Sequence, residues 1–250
     1  MINNNFIVVT PLYNVEKWVK RCLNSVAKQQ YRNFSHYLID DISTDNTNSI
    51  IKKHSDACEN TVLITNTEKK YALKNIYDTL EGLNLSDDDI VVILDGDDCL
   101  ANDEVFSTLN EIYNREDCWM TYGSYVEYPS MKKGKFAKKI PNHIIENSSY
   151  RSSEWMSSHL RTFRYGLWKK IKKKDLIDER TGNFIKAAWD LAFIFPMLEM
   201  CGTKALYIDK VFYVYNRQNP LNEDKVNHSK QLGEENYIRS KKKYQRINKL

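Results

Sequence analysis

The sequence is short of several features that would have settled its class at once. Its five cysteines (Cys22, Cys58, Cys99, Cys118, Cys201) are odd in number and never reach CxxC spacing, which argues for a reducing compartment and against a thiolate metal site. No apolar run is long enough to span a bilayer, and the opening "MINNNFIVVT" has no basic stretch leading into an apolar one. The chain therefore reads as soluble and cytoplasmic. A formal charge of +4, with lysines and arginines interleaved among acids, gives no reason to expect a nucleic-acid partner. There is no internal repeat and no low-complexity linker. With 42% hydrophobic and 28% charged residues the composition is that of an ordinary globular protein, and 250 residues suffice for one sizeable core.

What is present alternates. "FIVVT" reads as a buried strand ended by Pro11, and from Asn14, a suitable N-cap, the apolar residues Val15, Trp18, Cys22, Leu23 and Val26 keep helical spacing. "HYLID", "TVLIT" and "DIVVILD" read as further strands, with "DNTNSIIKKH", "ALKNIYDTLEGL" and "NDEVFSTLNEIY" as helices between and after them. Strands alternating with helices of about three turns imply βαβ units. The expected fold is α/β: a Rossmann-like, mostly parallel central sheet flanked by helices, in a single domain over residues 1–230. The shift in style after residue 115 suggests a nucleotide half over residues 1–115 and an acceptor half over 116–230. The second half is less regular. "WMTYGSYVEY" predicts a strand, "MKKGKFAKKIPN" a basic loop, "FIKAAWDLAFIFPMLEMCG" an apolar helix kinked at Pro196, and "ALYI" and "VFYVY" two late strands. Residues 231–250 predict a charged helical tail, either a solvated face or a weak contact with acidic lipid.

Three acidic features carry chemistry. In "DIVVILDGDDCL" a buried strand ends in Asp95, Asp97 and Asp98, whose mutual repulsion would protonate at least one of them unless a counter-charge is present. A divalent cation with few protein ligands and open positions for nucleotide phosphates resolves that. Mn2+ or Mg2+ is the expected cofactor, against the alternative of a polar loop in which Gly96 serves the turn. In "LIDDISTDNT", Asp40 and Asp41 end another strand, suited to accepting a uracil imide N–H or to ordinary helix capping. In "WDLAFIFPM", Asp190 lies in an apolar run, where it is either a general base of raised pKa or the partner of Arg161 or Arg164.

Taken together, "TPLYNVEKWVKRCLNSVAKQQ", "LIDDISTDNT", "TNTEKKYALKN", "VVILDGDDCL" and "AAWDLAFIFPMLEM" closely resemble the family 2 glycosyltransferases with a GT-A fold, in order and spacing, over nearly the whole chain up to about residue 220. "HLRTFRYGLWKKI" and "NPLNEDK" resemble a subgroup found in bacteria and large DNA viruses. The resemblance implies that Thr10, Pro11 and Tyr13 line the nucleotide base, that Asp41 holds the uracil imide in a pocket shaped by Asp40, and that Asn66 lies near the ribose. Lys74 and Asn75 stand where the family has Arg-Asn. Asp95, Gly96 and Asp97 form the DxD element, with Asp97 as metal ligand and Asp95 reaching ribose or metal; Arg217 would reach the pyrophosphate, and Asn219 or His228 would complete the metal shell. Asp190 falls at the family's acceptor-activating base, preceded here by Trp189 where relatives often have Glu.

The activity so implied is transfer of a sugar from a UDP-sugar to a hydroxyl acceptor on a glycan, lipid-linked sugar or protein, with inversion at the anomeric carbon. A sugar nucleotidyltransferase is the rival enzyme class, but its Gly-rich phosphate loop is absent where this chain reads "TPLYNVEKW". The other rival is a binding protein that kept the nucleotide site and lost catalysis.

Overall fold

The apolar runs of the first half are too short for helices and too continuous for half-exposed strands, and they build the centre of a parallel sheet. The computed structural model describes residues 2–115, 117–226 and 228–250, apart from the side chains at 223, 224 and 228. In chain order the elements are β1 (Phe6–Leu12), α1 (Val19–Ala27), β2 (Phe34–Asp40), α2 (Thr47–Ser55), β3 (Thr61–Thr65), α3 (Tyr71–Gly82) and β4 (Ile90–Ile93). Then come β5 (Cys99–Leu100), α4 (Val105–Arg115), β6 (Met120–Tyr128), β7 (Lys132–Lys133) and α5 (Asn142–Glu146). The remainder adds β8 (Thr162–Arg164), α6 (Tyr165–Trp168), β9 (Ile177–Asp178), β10 (Asn183–Phe184), α7 (Trp189–Cys201), β11 (Ala205–Asn216), α8 (Glu223–Val226) and α9 (His228–Ser240).

The main sheet runs β3-β2-β1-β4-β8-β6-β11-β5, with β7 beside β6. Strands β3, β2, β1 and β4 are parallel. β8 is antiparallel to both β4 and β6, so β6 and its parallel neighbour β11 point the same way as β4. The carboxyl ends of β1, β2, β3, β4, β6 and β11 therefore share one edge. Chain order reverses between β1 and β4, and the crevice beyond such a reversal is where open α/β sheets bind ligands.

Helical spacing of apolar residues seals the faces. α1 buries Val19, Cys22, Leu23 and Val26, and α3 buries Leu73, Ile76 and Leu80. α7 is apolar all round and buries every residue from Leu191 to Cys201. Its Phe193 packs against Phe163, Trp168 and Trp189, and truncating such a ring to alanine costs about 3–5 kcal/mol. Among the described residues, no helix is long and apolar enough to cross a membrane.

The structure departs from the sequence expectations at four places. α1 begins at Val19; Asn14 is not its cap but adopts a left-handed backbone (φ 51°), and its Oδ1 accepts the Thr44 N–H at 2.8 Å. The two expected late strands are one, β11, whose register slips around the exposed pair Asp209 and Lys210 that interrupts the apolar pattern. α7 starts at Trp189 because Ala188 takes a left-handed conformation (φ 47°) and Phe184 pairs in β10. The tail is helical only to Ser240. Beyond it Tyr244 N–H donates to Glu199 Oε2 and Ile247 N–H to Met200 O, so backbone donors that a helix would have used are spent on α7.

Candidate active site

At the shared edge the loop after β2 is saturated with hydrogen bonds. Asp41 Oδ1 accepts from Asn66 Nδ2 (2.8 Å) and the Lys70 N–H (2.8 Å), and Oδ2 from the Tyr71 N–H (2.9 Å), with Lys69 Nζ at 3.4 Å. Burial alone would raise this carboxyl, but the N–H of Lys70, the Asn66 amide and the N–H of Tyr71 outweigh it and hold Asp41 below the ordinary carboxylate range. Asp41 thus caps the start of α3, where the helix presents free N–H groups. Asp40 accepts the Ser43 N–H and Asn48 Nδ2. The rest of "LIDDISTDNT" holds the loop after β1: Asn14, Val15 and Glu16 donate their N–H to Ser43 Oγ, Thr47 Oγ1 and Asp45 Oδ2.

The loop after β4 is the opposite case. Asp95 is half-buried, and its hydrogen bond from the Tyr213 hydroxyl is long, at 3.5 Å. Burial, then Asp97 and more weakly Asp190, push Asp95 up to about 7 despite the nearby charge of Arg161. Burial raises Asp97 too, against the amide of Asn219 (Nδ2 to Oδ2, 2.7 Å) and the charges of Arg21 and Lys225. Asp98 is fully enclosed and turned away. It accepts from the Tyr213 hydroxyl (2.6 Å) and the Asn216 N–H (2.6 Å), pinning the loop to β11, and burial beside Asp97 and Asp95 drives it well above the usual range. Gly96 packs closely on the end of β1: a Cβ there would lie 2.4 Å from Leu12 Cδ2 and 3.3 Å from Pro11 O, so the Leu12 side chain would have to shift. Among the described residues, no three His, Cys, Asp or Glu side chains converge on one point, so Asp95 and Asp97 are what this loop offers a cation. Two under-compensated hard-oxygen ligands with the remaining positions left to phosphate and water suit Mn2+ or Mg2+.

Asp190 stands in the first turn of α7, facing the same crevice, and its Oδ2 accepts from Arg161 Nη2 at 2.7 Å. The arginine pairing weighed from the sequence is therefore present, and the pair lies within electrostatic reach of Asp95.

The other expected residues divide. Pro11 is half-buried where β1 leaves the sheet, and the ring of Tyr13 is exposed with the Lys69 ammonium over it. Asn66 bonds both Asp41 and Asn75 Oδ1, and the buried Asn75 side chain helps to hold Asp41 down. Thr10 is fully buried and its hydroxyl bonds His36 Nε2 at 2.9 Å within the sheet layer. The Lys74 ammonium is paired with Asp78 and lies over the Phe184 ring. Arg217 donates its N–H to Tyr128 O, tying the ends of β6 and β11 together, and its guanidinium lies 5.7 Å from the Tyr215 ring. Asn219 orients Asp97 by donating to it. The side chain of His228 lies outside the described residues.

The glycosyl transferase family 2 model matches residues 7–191, three quarters of the chain. The chain belongs to that family. A Streptococcus pneumoniae protein named glycosyltransferase GlyA is 25% identical over 223 residues, which is 86% of this chain but only 31% of the relative. Glycosyltransferase GlyG of the same organism is 23% identical over 84% of this chain and 70% of its own length. Among solved structures, Staphylococcus aureus TarS 1-349 in complex with UDP-GlcNAc superposes with a TM-score of 0.65 at 20% identity, covering 86% of this chain and 59% of that one. The Pyrobaculum calidifontis mannosyltransferase PcManGT, in complex with GDP-Man and Mn2+, gives 0.55 at 17% identity over 87% of this chain and 58% of that one. The shared fold is the GT-A arrangement of a mostly parallel sheet flanked by helices.

Within this family 2 domain several site residues had no clear signal in the sequence. Tyr213 and Asn216 come from β11, beyond the matched span, yet they hold Asp98, while Asn219, expected at the metal shell, donates to Asp97. The signal available was a phenol at a strand position otherwise filled by core residues. Arg21 of α1 donates from Nη2 to Asp97 O at 3.3 Å, lies over the Tyr128 ring and keeps a buried Nε without a partner. His159 stacks on Tyr213 with ring centroids 4.4 Å apart.

Proposed function

We propose that the chain transfers a sugar from a UDP-sugar to a hydroxyl acceptor on a glycan, lipid-linked sugar or protein, with inversion at the anomeric carbon and with Mn2+ or Mg2+ held by Asp97 and Asp95. The observation that carries this reading is the meeting, at one sheet edge, of two carboxyls left short of counter-charge with the Arg161–Asp190 pair. A UDP donor is supported by family membership and by the TarS complex with UDP-GlcNAc, a metal by PcManGT with Mn2+.

On this reading the uracil lies between the exposed Tyr13 ring and the loop of Asp40, Asp41 and Asn66. When bound, the divalent ion supplies charge neutralisation for the leaving diphosphate. Asn219 and the Arg21 contact to Asp97 O hold the Asp97 carboxylate in place, and Asp98, locked to β11, keeps the loop from collapsing onto itself. Asp190, steadied by Arg161, accepts the proton of the acceptor hydroxyl as its oxygen attacks the anomeric carbon from the face opposite the nucleotide. The test is a donor screen: each common nucleotide sugar with Mn2+, measuring nucleotide release and the shift in melting temperature. A UDP-sugar that is turned over supports the reading. If no donor is turned over or raises the melting temperature, the reading is overturned.

A further inference from the structure

The family match ends at residue 191, two residues after α7 begins, yet the turn that aims α7 is held from far downstream. Glu234 lies on α9, is 8% exposed, and its Oε2 accepts two consecutive backbone donors, the Lys186 N–H at 3.0 Å and the Ala187 N–H at 2.5 Å. The next residue, Ala188, has φ 47°, a left-handed conformation that costs an L-residue with a Cβ on the order of 1 kcal/mol or more and persists where surrounding contacts impose it. Asp190 follows two residues later.

α9 is itself fixed to the other end of the same helix. The Ile238 carbonyl accepts from Arg151 Nη1 at 2.7 Å, and that guanidinium forms a two-pronged pair with the buried Glu199 of α7. Arg239 adds bonds from Nη1 to the Arg151 and Ser153 carbonyls. On the opposite side of the turn the Lys186 ammonium lies 4.4 Å from the centroid of the Tyr71 ring, whose own N–H caps onto Asp41. The 186–188 turn is thus gripped between α9 and the loop after β2.

We infer that Glu234 is a positioning residue for Asp190: by holding the Lys186 and Ala187 N–H groups it sets the left-handed turn at Ala188 and so the direction of the first turn of α7. The inference rests on the transferase reading for the role of Asp190, while the hold on the turn can be measured without it. Glu234→Ala is expected to speed amide exchange at Ala187 and to lower kcat on the order of 10- to 100-fold at unchanged donor KM, as small misplacements of reacting groups do. Glu234→Gln, whose amide oxygen can accept both N–H groups, is expected to restore most of both. Glu235→Ala, a lesion on the same helix that removes only the Arg239 pair, is expected to leave both near the parent. Should the alanine variant not fold, Glu234→Asp, one methylene short, is expected to show the same two losses in smaller measure.

Parent-like kcat in Glu234→Ala or Glu234→Asp, or an equal loss in Glu235→Ala, overturns the inference, and so does a rise in donor KM with kcat intact. If the parent itself turns over no donor, the transferase reading falls. Amide exchange at Ala187 then decides alone, and an unchanged rate in the Glu234 variants overturns the hold on the turn.

Discussion

The strands on either side of β1 both end in aspartate pairs, and the two pairs are in opposite states. After β2, Asp41 is deeply buried yet held below its usual range, because α3 begins there and aims two N–H groups at it while Asn66 supplies a third donor. After β4, Asp95 and Asp97 are pushed upward, Asp95 to about 7, first by burial and, for Asp95, then by the charge of Asp97 beside it, with too few donors aimed at either to offset this. Burial raises the carboxyls of both loops, then, and what separates them is that the donors aimed at Asp41 reverse its effect. One loop is complete as folded and serves as scaffold for the crevice. The other, on the proposed function, is completed by a cation and the anion that the cation binds.

The comparison breaks most visibly with Asp97→Ala, which should lower metal-dependent turnover by on the order of 10³-fold or more in a nucleotide-release assay while leaving metal-free melting at or above the parent. Asp190→Asn should keep donor binding and slow transfer about 10²- to 10⁴-fold, and equal rates in variant and parent would remove Asp190 from the mechanism. The saturated loop should answer the other way. Asp41→Ala leaves buried N–H donors unpaired and should cost about 3 kcal/mol in urea unfolding. Asn219→Ala, which frees the Asp97 carboxylate without removing it, should weaken apparent Mn2+ affinity about tenfold in a titration of the UDP complex.

The smallest effect is in acid. A folded carboxyl held below its unfolded value contributes stability that is complete above pH 3.8 and drains as pH falls further, since the unfolded chain then takes up the proton first. Asp41→Asn should therefore show a shallower loss of stability below pH 3.8 than the parent. His36, buried and pushed down to about 3, adds its own loss from 6.5 downward in both proteins and cancels in the difference.

Much of the fold was legible because apolar periodicity is a local property: β1, β2, β3, β4 and their helices fall where the runs and spacings put them. Misreadings came where tertiary partners overrode local signals. Asn14 looked like a cap, but Ser43 and Thr44 claim it for a loop contact. "ALYI" and "VFYVY" looked separate because Asp209 and Lys210 sit at a register slip inside one strand. The tail past Ser240 reads as helical on charge and spacing, but Glu199 and Met200 on α7 take its N–H groups. Within the site, the acids announced themselves as clusters at strand ends. Most of their handlers did not, since Tyr213, Arg21 and Glu234 come from distant elements and look like ordinary core or surface residues until the chain is folded.

The contrast between the two loops is tested most directly by calorimetric titration of UDP into the parent and into Asp97→Asn, each with and without Mn2+. The expected result is that Mn2+ tightens UDP binding to the parent by about tenfold or more, and that Asp97→Asn loses this increment while keeping the metal-free affinity. An equal Mn2+ increment in both proteins would contradict the account.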